Sequence, residues 1–138
     1  MEFHIAGKGL HPLRHADVAG VVNHGEVPDS GAFATERDLL VIPLLQGAGI
    51  RVKIVQAMAN GIAVATTTKG GHGLGLDNGE GIALDHPDGF ADCISEIVRH
   101  PERLGQLGEQ GMDVARTRFD RRVIARDLME FYGGYFQP

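Results

Sequence analysis

Between Leu39 and Thr68 the chain sets out residues whose order suits the binding of an anion. An apolar run, Leu39-Leu40-Val41-Ile42, leads to Pro43, then to a glycine turn, Gly47-Ala48-Gly49, and then to a helical pattern from Ile50 to Asn60. Gly61 closes that helix, and Ile62 to Thr66 reads as the next strand. The first amides of a helix have no acceptor within it, and the helix dipole leaves them partly positive. A strand, glycine turn and helix start in succession therefore form a cradle for a small phosphate group. Lys53, one helical turn in on this reading, adds a full positive charge. The plainer alternatives are a tight turn without a ligand and a solvated helix lysine.

Other reactive side chains carry less. His11 and His15 are spaced i,i+4, but Pro12 intervenes and no third ligand accompanies them, so no metal is expected. His72 lies in a glycine loop from Lys69 to Gly81 and reads as a surface residue, with an acid–base role as the sharper alternative. Thr66-Thr67-Thr68 ends a strand at the ligand-facing edge and is a candidate to offer hydroxyls to a ligand, although β-branched residues also simply suit strands. Cys93 is the single cysteine, so no internal disulfide forms. A small buried hydrophobe in a reducing, cytoplasmic setting is the expectation for it.

The net charge of −5 and the scatter of the basic residues exclude a nucleic-acid footprint. Arg116, Arg118, Arg121 and Arg122 form the densest basic run, but Asp113, Asp120 and Asp127 interleave with it, as on a solvated helix end. The longest apolar run, Leu39 to Leu45, contains Pro43 and is far too short to span a bilayer.

The elements that must position the glycine turn follow from periodicity. Phe3 to Ala6 and Val21 to His24 are strand candidates, with a helix from Pro12 to Ala19 between them. Gly25 to Gly31 is turn-rich, and a short helix over Ala32 to Glu36 leads into the Leu39 strand. Ile82-Ala83-Leu84 is a last weak strand, after which the period turns helical. Phe90, Ile94, Ile97 and Val98 share one face of a helix opened by Pro87-Asp88 and stopped at His100-Pro101. A second helix carries a looser stripe broken by Gly105, Gly108 and Gly111, and a third is capped by Asp120 and ends at Gly133-Gly134. Alternating strands and helices followed by helices alone predict an α/β fold. Its doubly wound parallel sheet, Rossmann-like, carries extra C-terminal helices packed on the outside. At 138 residues a single domain, 1–138, is expected.

The run from Pro43 through Gly47-Ala48-Gly49-Ile50-Arg51-Val52-Lys53 to Gln56-Ala57-Met58-Ala59-Asn60-Gly61-Ile62-Ala63-Val64 resembles the donor-binding segment of retaining, nucleotide-sugar-dependent glycosyltransferases of GT-B fold, family 4 (group 1). That family reads as a proline-ended strand, a G-x-G turn, K-x-x-E-A-M-A-x-G and P-V-V. Phe3 to Gly9 is similar to its strand and glycine loop, Val22 to Val27 to its next strand and turn, and Lys69 to Leu74 to its loop before the last strand. Phe90 to Phe136 is similar to its terminal helices, so the likeness covers nearly the whole chain. The resemblance implies a transferase of hexosyl type. It puts the diphosphate and sugar of the donor at Gly47, Ala48, Gly49 and Ile50, with Lys53 adding charge and Gln56 at the ribose. Gly25, Glu26 and Val27 match the base-contacting segment. It assigns no catalytic residue, cofactor or metal in this stretch.

Three departures stand out. The family's two glutamates, eight residues apart, are replaced by Ala48 and Gln56, and His72 stands where an acidic residue is usual. Glutamine still bonds a hydroxyl but lacks the charge-assisted strength of a carboxylate. The expected function is therefore the donor-binding half of a glycosyltransferase, or alternatively a non-catalytic GT-B-like binding or interaction module with a degenerate site. A dinucleotide-dependent oxidoreductase is weaker, because Gly7-Lys8-Gly9 lacks the third glycine of the dinucleotide turn. The resemblance further implies a fragment without the family's N-terminal acceptor domain and without the first strand of this domain. Inactivity alone, self-association through unpaired strand edges, and peripheral membrane contact through a lipid-linked acceptor are the corresponding expectations.

Overall fold

A computed structural model describes residues 1–11, 18–47 and 51–134. The chain divides into two compact units, Met1–Glu36 and Arg37–Pro138.

In the first unit, β1 (Phe3–Ile5) and β2 (Val21–Asn23) pair in parallel with Phe3 opposite Val21 and Ile5 opposite Asn23. The pairing extends past the strands, where the Gly7 amide donates to the Gly25 carbonyl at 2.8 Å. The helix expected from Pro12 lies outside the described residues over 12–17. Helix α1 spans Ser30–Thr35, two residues earlier than the sequence suggested, because Asp29 caps it by accepting from the amides of Gly31 and Ala32.

In the second unit, β3 (Leu39–Ile42), β4 (Ala63–Thr67) and β5 (Ala83–Asp85) form a parallel sheet in the order β3-β4-β5. All five residues of central β4 are buried, as expected of a strand covered on both faces. Between β3 and β4 runs α2 (Val52–Ala59), which buries Ile54, Ala57 and Met58, the i, i+3, i+4 stripe of an amphipathic helix. A short helix, α3 (Thr68–Gly71), follows β4 directly, and α4 (Phe90–Arg99) and α5 (Pro101–Val114) follow β5. Ala63, Ala65, Ala83, Phe90, Ile97 and Leu107 pack as one core cluster under α4 and α5.

The glycines of α5 are a correction to the sequence reading, which took all three as interruptions of the helix's apolar stripe. Gly108 and Gly111 are buried. A methyl group on Gly108 would stand 2.2 Å from the Gly61 carbonyl oxygen, and one on Gly81 would stand 2.5 Å from the Gly111 Cα. The helix backbone thus lies against the loops flanking β4 and β5, a contact that only glycine permits. Gly105 alone faces open space.

Helix α5 widens into a π-helical turn over Ala115–Phe119, which the sequence reading did not anticipate. Asp120 then caps α6 (Arg121–Gly133), its Oδ1 accepting from the Arg122 amide at 2.7 Å. The expected outside packing of this last helix is not seen, since α6 buries no residue and Ile124, Leu128, Met129, Phe131 and Tyr132 are exposed. Among the described residues no helix is long and apolar enough to cross a membrane.

Candidate functional site

In a parallel sheet every strand exits at the same edge, so the segments after β3, β4 and β5 gather there. The exit of β3 is held from beneath. Thr66 Oγ1 donates to the Ile42 carbonyl at 2.7 Å, and Thr67 Oγ1 donates to the Leu44 carbonyl. Both threonines are wholly buried, at 0% and 1% exposure. For Thr66 and Thr67 the expectation of hydroxyls offered to a ligand is therefore overturned: buried hydroxyls must be bonded, and the neighbouring carbonyls take them. Only Thr68, the first residue of α3, is exposed. Thr67 also accepts from the Gly70 amide and so starts α3, where the sequence suggested an open loop. Gly70 and Gly71 pack closely there: an added methyl group would stand 2.0 Å from the buried Thr66 Oγ1 at Gly70 and 2.6 Å from Leu84 Cδ2 at Gly71.

Beyond the tethered Leu44, the turn opens with Gly47 at a φ of +111°, a conformation that glycine adopts without strain. Ala48, Gly49 and Ile50 lie outside the described residues. Arg51 has an extended backbone at φ −87° and ψ 93°, so α2 begins at Val52, not at Ile50. Lys53 accordingly stands within the first turn, not one turn in, where the helix dipole is strongest. It is exposed, as is Gln56 one turn further on the same face. The N-cap residue Arg51 makes no side-chain capping bond, and the Ile54 amide donates to the Arg51 carbonyl at 2.8 Å.

Arg51 is the residue that sequence reasoning missed. Its guanidinium folds over Gly47, so closely that a methyl group on Gly47 would stand 2.4 Å from Arg51 Nη2. Its Nε is buried and has no hydrogen-bond partner. The signal available was an arginine between a glycine turn and a helix start, one residue from Val52 and two from Lys53.

In the first unit, Gly25 is buried at a φ of +65°, with its amide bonded to Asn23 Oδ1 at 2.8 Å and its carbonyl to the Gly7 amide. Glu26 is exposed and Val27 half-buried. Of these three, Glu26 is the residue open to solvent. Beside them His4 Nδ1 and His24 Nε2 lie 2.9 Å apart, and the His24 ring meets Phe33 edge-on at 5.0 Å.

After α3, His72 is exposed on the rim of an open depression of about 500 Å³ that Thr68, Gly71, Gly73, Asp77 and Leu84 also line. Arg118 of the π-helical turn pins this loop, donating to the Gly75 carbonyl at 3.1 Å and pairing with Glu80 at 3.4 Å. The Asp77 amide donates to Glu80 at 2.9 Å. That bond, helped by Arg118 against partial desolvation, holds the Glu80 carboxyl below the usual glutamate range. A second cavity, of about 410 Å³, is lined by Asp85, Cys93, Glu96, Arg103 and Gln110 among others. Burial first, then Asp85, pushes the half-buried Cys93 thiol up, against the opposing pull of Arg103, so it stays protonated and inert at neutral pH. Among the described residues no group of three His, Cys, Asp or Glu side chains is placed to hold a metal ion.

This geometry has relatives. Sucrose-phosphate synthase from Thermosynechococcus elongatus is 22% identical over 85% of this chain and 30% of its own, with a TM-score of 0.68. HepE of Anabaena, solved in complex with UDP-glucose, is 19% identical over 85% of this chain and 33% of its own, also at 0.68. The C-terminal domain of the glycosyl transferase group 1 family protein LpcC from Francisella tularensis is 19% identical over 74% of this chain and 55% of its own, at 0.63. The chain thus spans about a third of the length of the first two and about half of the third. These likenesses show a Rossmann-like α/β fold of the GT-B type. No curated protein matches the chain. The family model described as glycosyl transferases group 1 matches residues 1–100 of the 138, and the chain belongs to that family.

Proposed function

We propose that this chain supplies the donor-binding half of a glycosyltransferase that moves a hexose from a nucleoside-diphosphate sugar to an acceptor. One observation carries the reading. A positive-φ glycine, a cation and an uncapped helix start converge at the carboxyl edge of a parallel sheet. On this reading the donor diphosphate is held by the turn from Gly47 to Ile50 through Ala48 and Gly49, and Gln56 meets the ribose. The chemistry is electrostatic: helix amides and side-chain cations stabilise the diphosphate as the glycosidic bond breaks, and no metal is needed. The UDP and UDP-glucose complexes of HepE support the donor class. A cytoplasmic setting, where nucleotide sugars are made, fits the unpaired Cys93.

The second reading, a binding module with a degenerate site, is favoured by Ala48 and Gln56, which leave the site without the family's paired carboxylates. Calorimetric titration of UDP, GDP and ADP sugars decides between them. A working donor site binds one of these bases at micromolar strength or better, and the chain by itself shows binding without turnover. Gln56→Glu separates the readings further: an affinity gain of tenfold or more marks decay, and an unchanged or weaker affinity marks a site built around glutamine. A chain that binds no nucleotide sugar refutes the first reading.

A further inference from the structure

We infer that the open depression beside His72 seats a hexopyranose ring, and that Arg118 is the positioning residue that shapes it. The expectation of a sugar rests on the glycosyltransferase reading above, whereas the place assigned to it rests on a different set of residues from the turn at Gly47.

The depression has the size and lining of a small-ligand site. Its volume is about 500 Å³, within the range of pockets that take small molecules. Thr68, His72 and Asp77 bring to it a hydroxyl, an imidazole and a carboxylate, and Leu76 and Leu84 add apolar carbon. A pyranose presents matching surfaces, with hydroxyls that both donate and accept around its edge and C–H groups on its faces. Among the described lining residues there is no lysine or arginine, and Asp77 repels an anion, so a bare phosphate is disfavoured.

The wall from Gly73 to Asp77 is not stiff by its own sequence. Gly73 and Gly75 stand at φ of +88° and +63°, and glycine loses the most backbone freedom on being ordered. Arg118 supplies a restraint from another element. Its Nη1 donates to the Gly75 carbonyl at 3.1 Å and its Nη2 to Glu80 Oε1 at 3.4 Å, while Glu80 Oε2 accepts from the Asp77 amide at 2.9 Å. One guanidinium thus fixes Gly75 directly and Asp77 through Glu80, which the single point of a lysine ammonium does not match. The π-helical turn accounts for the aim of this side chain, because a wider turn carries the residues at its end around the helix axis, away from the positions that α5 alone would give them. Arg118 and Glu80 are 47% and 40% exposed, and an exposed pair adds little to folding stability. Its effect falls on the shape of the wall.

The test is an NMR titration of the isotope-labelled chain with glucose, galactose, mannose and maltose, and with UDP-glucose, GDP-mannose, ADP-glucose and the three free nucleoside diphosphates, for wild type, Arg118→Ala, Arg118→Lys and Glu80→Gln. Far-ultraviolet circular dichroism melts establish that each variant is folded. The expected result is that a sugar shifts the amides of Thr68, His72, Gly75 and Asp77, and that Arg118→Ala weakens its binding about tenfold, the scale of one lost charge-assisted bond. Glu80→Gln should lose part of that affinity, and Arg118→Lys should regain part of it. Nucleoside-diphosphate affinity should stay within about twofold throughout, a split that a merely structural role for Arg118 would not produce. A ring that belongs to the donor moves these amides as a nucleotide sugar and not as the free diphosphate, whereas a ring that belongs to a saccharide acceptor moves them as free hexose or maltose and not as a nucleotide sugar. No sugar shifting these amides, or a sugar affinity unchanged by Arg118→Ala, overturns the inference and leaves the donor-site reading standing. A chain that binds none of the nucleotide sugars refutes the donor-site reading, while free sugar at these amides, weakened by Arg118→Ala, still upholds the inference.

Discussion

At the scale of single residues, the site edge is a set of polar groups whose partners lie far away in sequence. Thr66 and Thr67 hold the exit of β3 from 24 and 23 residues away, and Arg118 reaches 43 residues back to Gly75. Glu80 gives this network a measurable pH signature. Its folded-state pKa lies below the ordinary value of 4.5, so its bonds favour the folded loop above that pH and are lost as pH falls through the lowered value. An NMR titration of the Asp77 amide should therefore show a midpoint below 4.5, and Arg118→Ala should move that midpoint upward. An unmoved midpoint would mean that Arg118 and Glu80 do not pair in solution.

At the scale of elements, α5 tests whether glycine serves as a break or as a contact. Gly105 faces open space, so Gly105→Ala should stabilise the chain by about 0.5–1 kcal/mol through helix propensity and reduced backbone entropy in the unfolded state. Gly108 lies against the Gly61 carbonyl, so Gly108→Ala must push α5 away from the sheet. The expected cost is about 1–3 kcal/mol, in the range of overpacked cores. Urea unfolding midpoints of the two variants should move in opposite directions. If both rise, the close approach of α5 to the loop before β4 is wrong.

At the scale of the whole molecule, burial is uneven between the two units. Every buried apolar side chain among the described residues, from Ile54 to Ala115, belongs to the second unit. In the first unit, β1 and β2 are three residues each and pair only with one another, a ladder marginal in isolation. Hydrogen exchange should accordingly run at least tenfold faster at Phe3–Ile5 and Val21–Asn23 than at Ala63–Thr67, as local opening precedes global unfolding. Equal protection in the two units would show instead that they unfold as one.

The amino-acid sequence by itself determined the five strands, the longer helices of the second unit, the parallel class of the pairing and the family resemblance, because these rest on local signals: period, proline and glycine placement, and capping residues such as Asp120. It misjudged where partners come from remote parts of the chain. Thr66 and Thr67 looked like ligand hydroxyls until Ile42 and Leu44 claimed them, and Gly108 and Gly111 looked like gaps in an apolar stripe until the loops at Gly61 and Gly81 came to rest on them. The start of α2 at Val52 and the folded-back Arg51 were likewise settled only in three dimensions. A hydrogen bond or a close backbone approach depends on two positions at once, and local sequence records only one of them.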